Sequence, residues 1–236
     1  MTIEEKVELA KNSISYKTLE KLSNDEYRVV RYVVARNENT SLETLDKLAD
    51  DEDFYVRRNV AENEKTSVKI LDKLADDKDS DIRGLVAFNK NTTPETLDKL
   101  SYDVDKDVRG NVAWNKNTSP ETLDKLADDE YYEVRYAVAK NENTSSETLD
   151  KLANDKDEAV RFYVARNKNT SLETLDKLAN DEECFVFIEV YNNPKTSKET
   201  LLKLEKREEI CKKCQFYEVE KKSVKCPYKF EHKILQ

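Results

Sequence analysis

Glycine occurs only twice in the 236 residues, histidine, tryptophan and methionine once each, and proline and cysteine four times each. Two glycines cannot build a phosphate-cradling loop of the P-loop or dinucleotide type, which needs them clustered in one turn. A single histidine leaves little room for a nucleophile–histidine dyad. No run of 18 apolar residues exists, so no membrane-spanning helix is expected. The opening MTIEEKVELA is acidic and carries no apolar stretch, so a secretory leader is not expected and the cytoplasm is the expected compartment. Thiols stay reduced there, which makes the cysteines metal ligands or plain thiols rather than disulfides. The chain is also poor in positive charge, with 41 basic against 50 acidic side chains and a net charge of −9. A phosphate backbone would be repelled, so nucleic acid is not an expected partner.

What the chain has in abundance is one pattern. Leu19, Leu45, Leu71, Leu97, Leu123, Leu149, Leu175 and Leu201 recur every 26 residues, and a second leucine follows each of them three positions on. Eight in-register copies mark a stacked repeat architecture. Within one copy, Leu45, Leu48 and Ala49 fall at i, i+3 and i+4, one face of a helix. A hydroxyl residue precedes the helix, either Thr40, at capping-box spacing from Glu43, or Ser41; Pro94 and Pro120 favour the second position by standing where a first helical residue needs no donor. A turn ending in Asp53, Asp79, Asp105 or Asp157 then leads into a V-R-x-x-V-A element, read as a second, shorter helix of about two turns. Each copy closes on an asparagine, Asn37 through Asn193, a residue that tolerates the left-handed conformation and stands in for the missing glycine. One copy holds about four or five apolar side chains, too few to fold alone, so stability is expected from neighbouring copies.

The run from Asn141 to Ala165 resembles the leucine-rich-repeat variant (LRV) family, and its Asp-x5-Arg element resembles HEAT repeats. The resemblance covers residues 15 to about 204. It implies an all-α, right-handed α-solenoid of about eight two-helix repeats, with the second helix tending to 3₁₀ geometry and lining the concave surface. The expected organisation is a capping helix over 1–14, the array over 15–204 and a cysteine-rich cap over 205–236.

Three sets of residues are candidates for function. The first is a ladder. An aspartate stands six residues before each arginine, as in Asp51/Arg57, Asp77/Arg83, Asp103/Arg109 and Asp129/Arg135. Guanidinium forks match carboxylates within a copy or across to the next, so a structural role is expected in preference to an anion-binding stripe. The second set varies between copies: Tyr32, Arg58, Phe88, Trp114, Tyr136, Phe162, Tyr163 and Arg166. By the resemblance these would form a groove for another protein or a peptide, and aromatic and arginine side chains are favoured interface anchors. Gly84 and Gly110 share that row, where they would make room for Phe88 and Trp114 or weaken the helix locally.

The third set lies in the tail. Residues 205–236 hold nine basic and six acidic side chains, a net of +3 that leaves −12 for residues 1–204. Cys211, Cys214, Cys226 and His232 have the spacing C-x2-C-x11-C-x5-H, a donor set for tetrahedral zinc that could supply a short segment with its folding energy. The alternative is a 4Fe–4S cluster with Cys184 as fourth ligand, since some LRV proteins carry such a domain, though theirs is N-terminal. The composite expectation is a non-enzymatic interaction scaffold with a small metal site; the alternative is a sensor whose cluster controls binding. Enzymes on HEAT-like stacks exist, but no acid–base pair stands out here and the array is acidic.

Overall fold

A computed structural model describes residues 1–211, and within them the chain is helical throughout, with sixteen helices and no strand. In chain order these are α1 (Ile3–Asn12), then α2 (Tyr16–Leu22) and α3 (Arg28–Arg36), α4 (Leu42–Leu48) and α5 (Phe54–Glu62), α6 (Val68–Leu74) and α7 (Ser80–Phe88). They continue as α8 (Pro94–Leu100) and α9 (Lys106–Trp114), α10 (Pro120–Leu126) and α11 (Tyr132–Lys140), α12 (Ser146–Leu152) and α13 (Glu158–Arg166). Last come α14 (Leu172–Leu178), α15 (Cys184–Asn192) and α16 (Lys198–Cys211). The chain divides into two compact units, Met1–Asn143 with α1–α11 and Thr144 onward with the rest. Each is a stack of helix pairs, the α-solenoid arrangement expected from the 26-residue period.

The two helices of a pair differ from expectation in length. The leucine-bearing helix has seven residues, whereas the Val-Arg helix has nine and is α-helical. The second helix is therefore neither the shorter one nor a 3₁₀ turn. A reason is visible at its ends. Asp53, Asp79, Asp105 and Asp157 cap its N-terminus by accepting the N–H two residues on, and the closing asparagine donates its backbone N–H to carbonyls of the last turn. The leucine helix is capped by the second hydroxyl residue: Ser41 Oγ accepts the Thr44 N–H at 3.2 Å, and Thr93 and Ser119 cap the helices that open on proline. Thr40 serves the preceding helix instead, its buried hydroxyl donating to the Val34 carbonyl at 2.6 Å.

The core is the period made solid. Leu19, Leu45, Leu71, Leu97, Leu123, Leu149 and Leu175 are fully buried, as are Val30, Val56, Val86, Val112, Val138 and Val164. Val-Arg helices pack side by side within a unit, α3 on α5, α5 on α7, α7 on α9, α9 on α11, and α13 on α15. α1 takes the place of such a helix ahead of α3. In the final full copy Phe187 and Tyr191, which replace the arginine and the alanine of other copies, are both buried. α16 begins as a leucine helix and runs on unbroken past residue 204 to Cys211.

Candidate functional site

Each Val-Arg helix carries two differently built faces. On one, the arginines join neighbouring copies. The Arg57 Nε and Nη2 donate to the two carboxylate oxygens of Asp77 at 2.7 and 3.2 Å, and its Nη1 donates to the carbonyls of Asp51 and Glu52 at 2.9 and 3.1 Å. Thus the aspartate six residues back contributes its backbone, and the carboxylate comes from the following copy. The same fork links Arg31 to Asp51, Arg83 to Asp103, Arg109 to Asp129, and Arg161 to Asp181. Arg135 holds the carbonyls of Asp129 and Glu130 at 2.8 and 3.0 Å. Each carboxylate also accepts a backbone N–H two residues on, as Asp77 does from Asp79 at 3.0 Å. Burial pushes the Asp77 carboxyl up, but the Arg57 fork and the Asp79 N–H outweigh it and hold it below the ordinary value; Asp103 is held down in the same way by Arg83 and the Asp105 N–H. At the first copy Lys6 of α1 does the arginine's work, its Nζ 2.8 Å from Asp25.

The asparagine rows are a second set of links, and sequence reasoning gave them the wrong job. Among the described residues no backbone has positive φ, and Asn37 and its equivalents are extended, with φ near −70° and ψ near 126° at Asn37. What fixes them is the side chain. Asn115 Nδ2 donates to the Ala87 carbonyl at 2.7 Å and the Asn89 carbonyl at 3.0 Å in the copy before, while its Oδ1 accepts the Asn117 N–H at 2.8 Å. Asn63, Asn89, Asn141 and Asn193 repeat the contact, and Asn37 makes it to α1 through the Ala10 carbonyl at 2.8 Å. Helix C-termini leave carbonyls unsatisfied, and here the next copy's amide satisfies them. An asparagine where glycine would serve a purely local closure was the available signal. Asn91, Asn117 and Asn143 form a further, more exposed row of the same kind.

The other face carries the residues that vary. In the first unit Phe88 is 68% exposed and Trp114 37%. The Trp114 ring meets Tyr136 edge-on at 5.6 Å between centroids, and Lys140 Nζ lies 4.2 Å above it. Arg58 is spent locally, paired with Glu62 at 2.9 Å, and Tyr32 is half-buried. In the second unit Phe162 meets Tyr163 and Phe185 at 5.1 and 6.0 Å, and Arg166 is exposed. The glycines do not make room for Phe88 and Trp114. A Cβ on Gly84 would lie 3.2 Å from Asn111 Nδ2, which donates to the Gly84 carbonyl, and a Cβ on Gly110 would meet nothing within 4 Å.

Of the metal candidates, Cys214, Cys226 and His232 lie outside the described residues, Cys211 is the last residue of α16, and Cys184 opens α15 half-buried. Among the described residues no group of three or more His, Cys, Asp or Glu side chains is placed to hold a metal ion. No described helix is long and apolar enough to cross a membrane.

Among solved structures the chain is similar to a leucine-rich-repeat variant with a repetitive structural motif, at 29% identity and a TM-score of 0.64, over 80% of this chain and 75% of that one. It is also similar to the Escherichia coli protein YibA, at 16% identity and a TM-score of 0.49 over 80% and 84% of the two chains. An engineered protein aligns at 17% identity and a TM-score of 0.42 over 86% and 76%. No protein-family model matches, and no curated protein matches significantly. The LRV-like, HEAT-like α-solenoid read from the repeat is thus the fold of this chain.

Proposed function

We propose that the protein is a non-enzymatic scaffold that binds another protein or a peptide on the variable face of its Val-Arg helices. The observation that carries this is the exposure of Phe88 and Trp114 on adjacent helices whose opposite faces are tied up by repeated bonds. Aromatic side chains left open to water on a rigid surface are the residue types that anchor interfaces. Nothing in the ladder competes with this reading, since each fork is neutralised by its own carboxylate. Photo-crosslinking tests it in cells: p-benzoylphenylalanine replacing Phe88 should capture one discrete protein, and the same probe replacing exposed Tyr102 should not. Identical products from both positions would sink the proposal.

We also infer that the segment 205–236 binds zinc through Cys211, Cys214, Cys226 and His232. The support is the clustering of three thiols and the sole imidazole at C-x2-C-x11-C-x5-H, a soft donor set of the kind zinc takes. Metal analysis of anaerobically purified protein should find one zinc per chain, lost in Cys226→Ser. Iron with visible absorbance, lost in Cys184→Ser, would replace zinc by a cluster and favour the sensor reading; absence of both metals would overturn the site.

A further inference from the structure

The variable face across α7, α9 and α11 is more than an apolar patch. Its side chains fall into three rows. At the N-terminal end of each helix stands an acid, Asp81, Asp107 and Glu133. The equivalent positions of other copies are Val29, Tyr55, Ala159 and Phe185, so the fold does not demand an acid there. The middle row is bare at Gly110, with open space above it, whereas Gly84 is buried beneath the Asn111 amide. At the C-terminal end stand Phe88 and Trp114. Positions 81, 84 and 88 are spaced so that they share one helix face. An exposed acid at one end and an exposed aromatic at the other therefore share one face of both α7 and α9, with open backbone between them at Gly110.

The charges of this face are unequal in their freedom. Lys106 is paired with Glu133 at 3.1 Å, and Lys140 sits on the Trp114 ring. Asp81 and Asp107 are exposed and make no ion pair within the described chain. The unit that holds them, residues 1–143, carries 23 basic and 32 acidic side chains, a net charge of −9. The complementary occupant is cationic. Packed helices stand roughly 8–10 Å apart, which an extended chain covers in about three residues. We propose that the α7–α9–α11 face docks an extended segment of a partner protein in which lysine or arginine recurs every third residue beside an apolar side chain. The cations face Asp81 and Asp107, the apolar groups lie against Phe88 and Trp114, and Gly110 lets the peptide backbone come close. The inference rests on the scaffold reading and adds to it the chemistry of the partner.

Trp114 is the only tryptophan, so its emission reports on this face in the full chain. The probes are two synthetic peptides, one of repeated Lys-Leu-Ser triplets and one of repeated Glu-Leu-Ser triplets. The lysine peptide is expected to change Trp114 emission saturably, and the glutamate peptide to leave it unchanged at the same concentration. Asp81→Asn with Asp107→Asn should weaken the lysine peptide about tenfold, and Phe88→Ser by about tenfold. Tyr102→Ser, equally exposed but off the face, should bind as the parent does. All of these positions are solvent-facing, and unchanged far-UV circular dichroism checks that the variants fold. Equal binding of both peptides, indifference to the double asparagine variant, or no response to either peptide overturns the inference. So does a dimer in sedimentation velocity that Phe88→Ser dissolves, because a second copy then occupies the face. Those outcomes leave the scaffold reading standing as long as crosslinking at position 88 still captures a protein that position 102 does not.

Discussion

The two faces of a single helix such as α9 obey different rules. On the ladder face Arg109 is nearly buried, forked onto Asp129 and bonded to two carbonyls of its own turn. On the variable face Trp114, five residues away, is more than a third exposed. Copies agree on the first face and disagree on the second. The reason is physical: a ladder residue must fit the copy before and the copy after, so a change in one breaks a bond in another. A variable residue takes part in no bond repeated from copy to copy, even where rings meet as Trp114 and Tyr136 do, so its identity is free to differ. Agreement between copies thus reads as structure, and disagreement backed by exposure reads as a surface for a partner.

The comparison can be broken from the ladder side. Arg109→Ala strands the Asp129 carboxylate in a nearly dry site and should lower stability by about 2–4 kcal/mol in chemical denaturation. Arg109→Lys should recover little of it, because an ammonium cannot make the fork. Asn115→Ala removes two buried hydrogen bonds and a half-buried one at once and should cost about 2–3 kcal/mol by the same measurement. On the variable face the sign reverses. Gly110→Ala places a methyl in open space and should stabilise by about 0.5–1 kcal/mol, whereas Gly84→Ala should gain less, its Cβ pressing on the Asn111 amide.

The smallest effect sharpens the exception. Glu189 lies in a variable row yet is buried in α15, where desolvation raises its carboxyl above the ordinary value against the opposing pull of Arg166. A raised acid costs stability where it is ionised and nothing once protonated in both states. Glu189→Gln should therefore raise the melting temperature at neutral pH, on the order of 2 °C. The gain should fade as pH falls below the ordinary glutamate value of 4.5. Asp77 and Asp103 run the other way: their depressed carboxyls stabilise the fold above the ordinary aspartate value of 3.8, and that support is lost as pH falls through their folded values. Acid titration of parent and Gln variant should show the two trends with opposite slopes.

Much of this was legible in the sequence, and for identifiable reasons. The leucine period gave the helix pairs because a buried face leaves a fixed spacing. Asp53, Asp79, Asp105 and Asp157 announced their helix starts because capping is local. The ladder was visible as Asp and Arg, but its partner was not, since a fork to the next copy and one within a copy share the same spacing rule. The asparagines hid their role for the same reason: the bond of Asn115 to Ala87 spans 28 residues and leaves no local trace. The length of the Val-Arg helix was misread because it was judged from the valine pair alone, although Asp53 and Asn63, both recognised as ends, enclose nine residues. Of the site, the variable positions could be picked out by comparing copies, but only burial separated the open Phe88 from the locally paired Arg58 and the half-buried Tyr32.

If neighbour-to-neighbour bonding holds the array together, one copy should be removable without harm to the rest. Excising residues 92–117 joins Asn91 to Thr118 in register and hands Asp129 to Arg83 in the place of Asp103. The excised protein should keep its helical circular dichroism per residue and melt cooperatively at a lower temperature than the parent. A helix-poor or aggregated product would show that the copies are not interchangeable modules and would contradict the account.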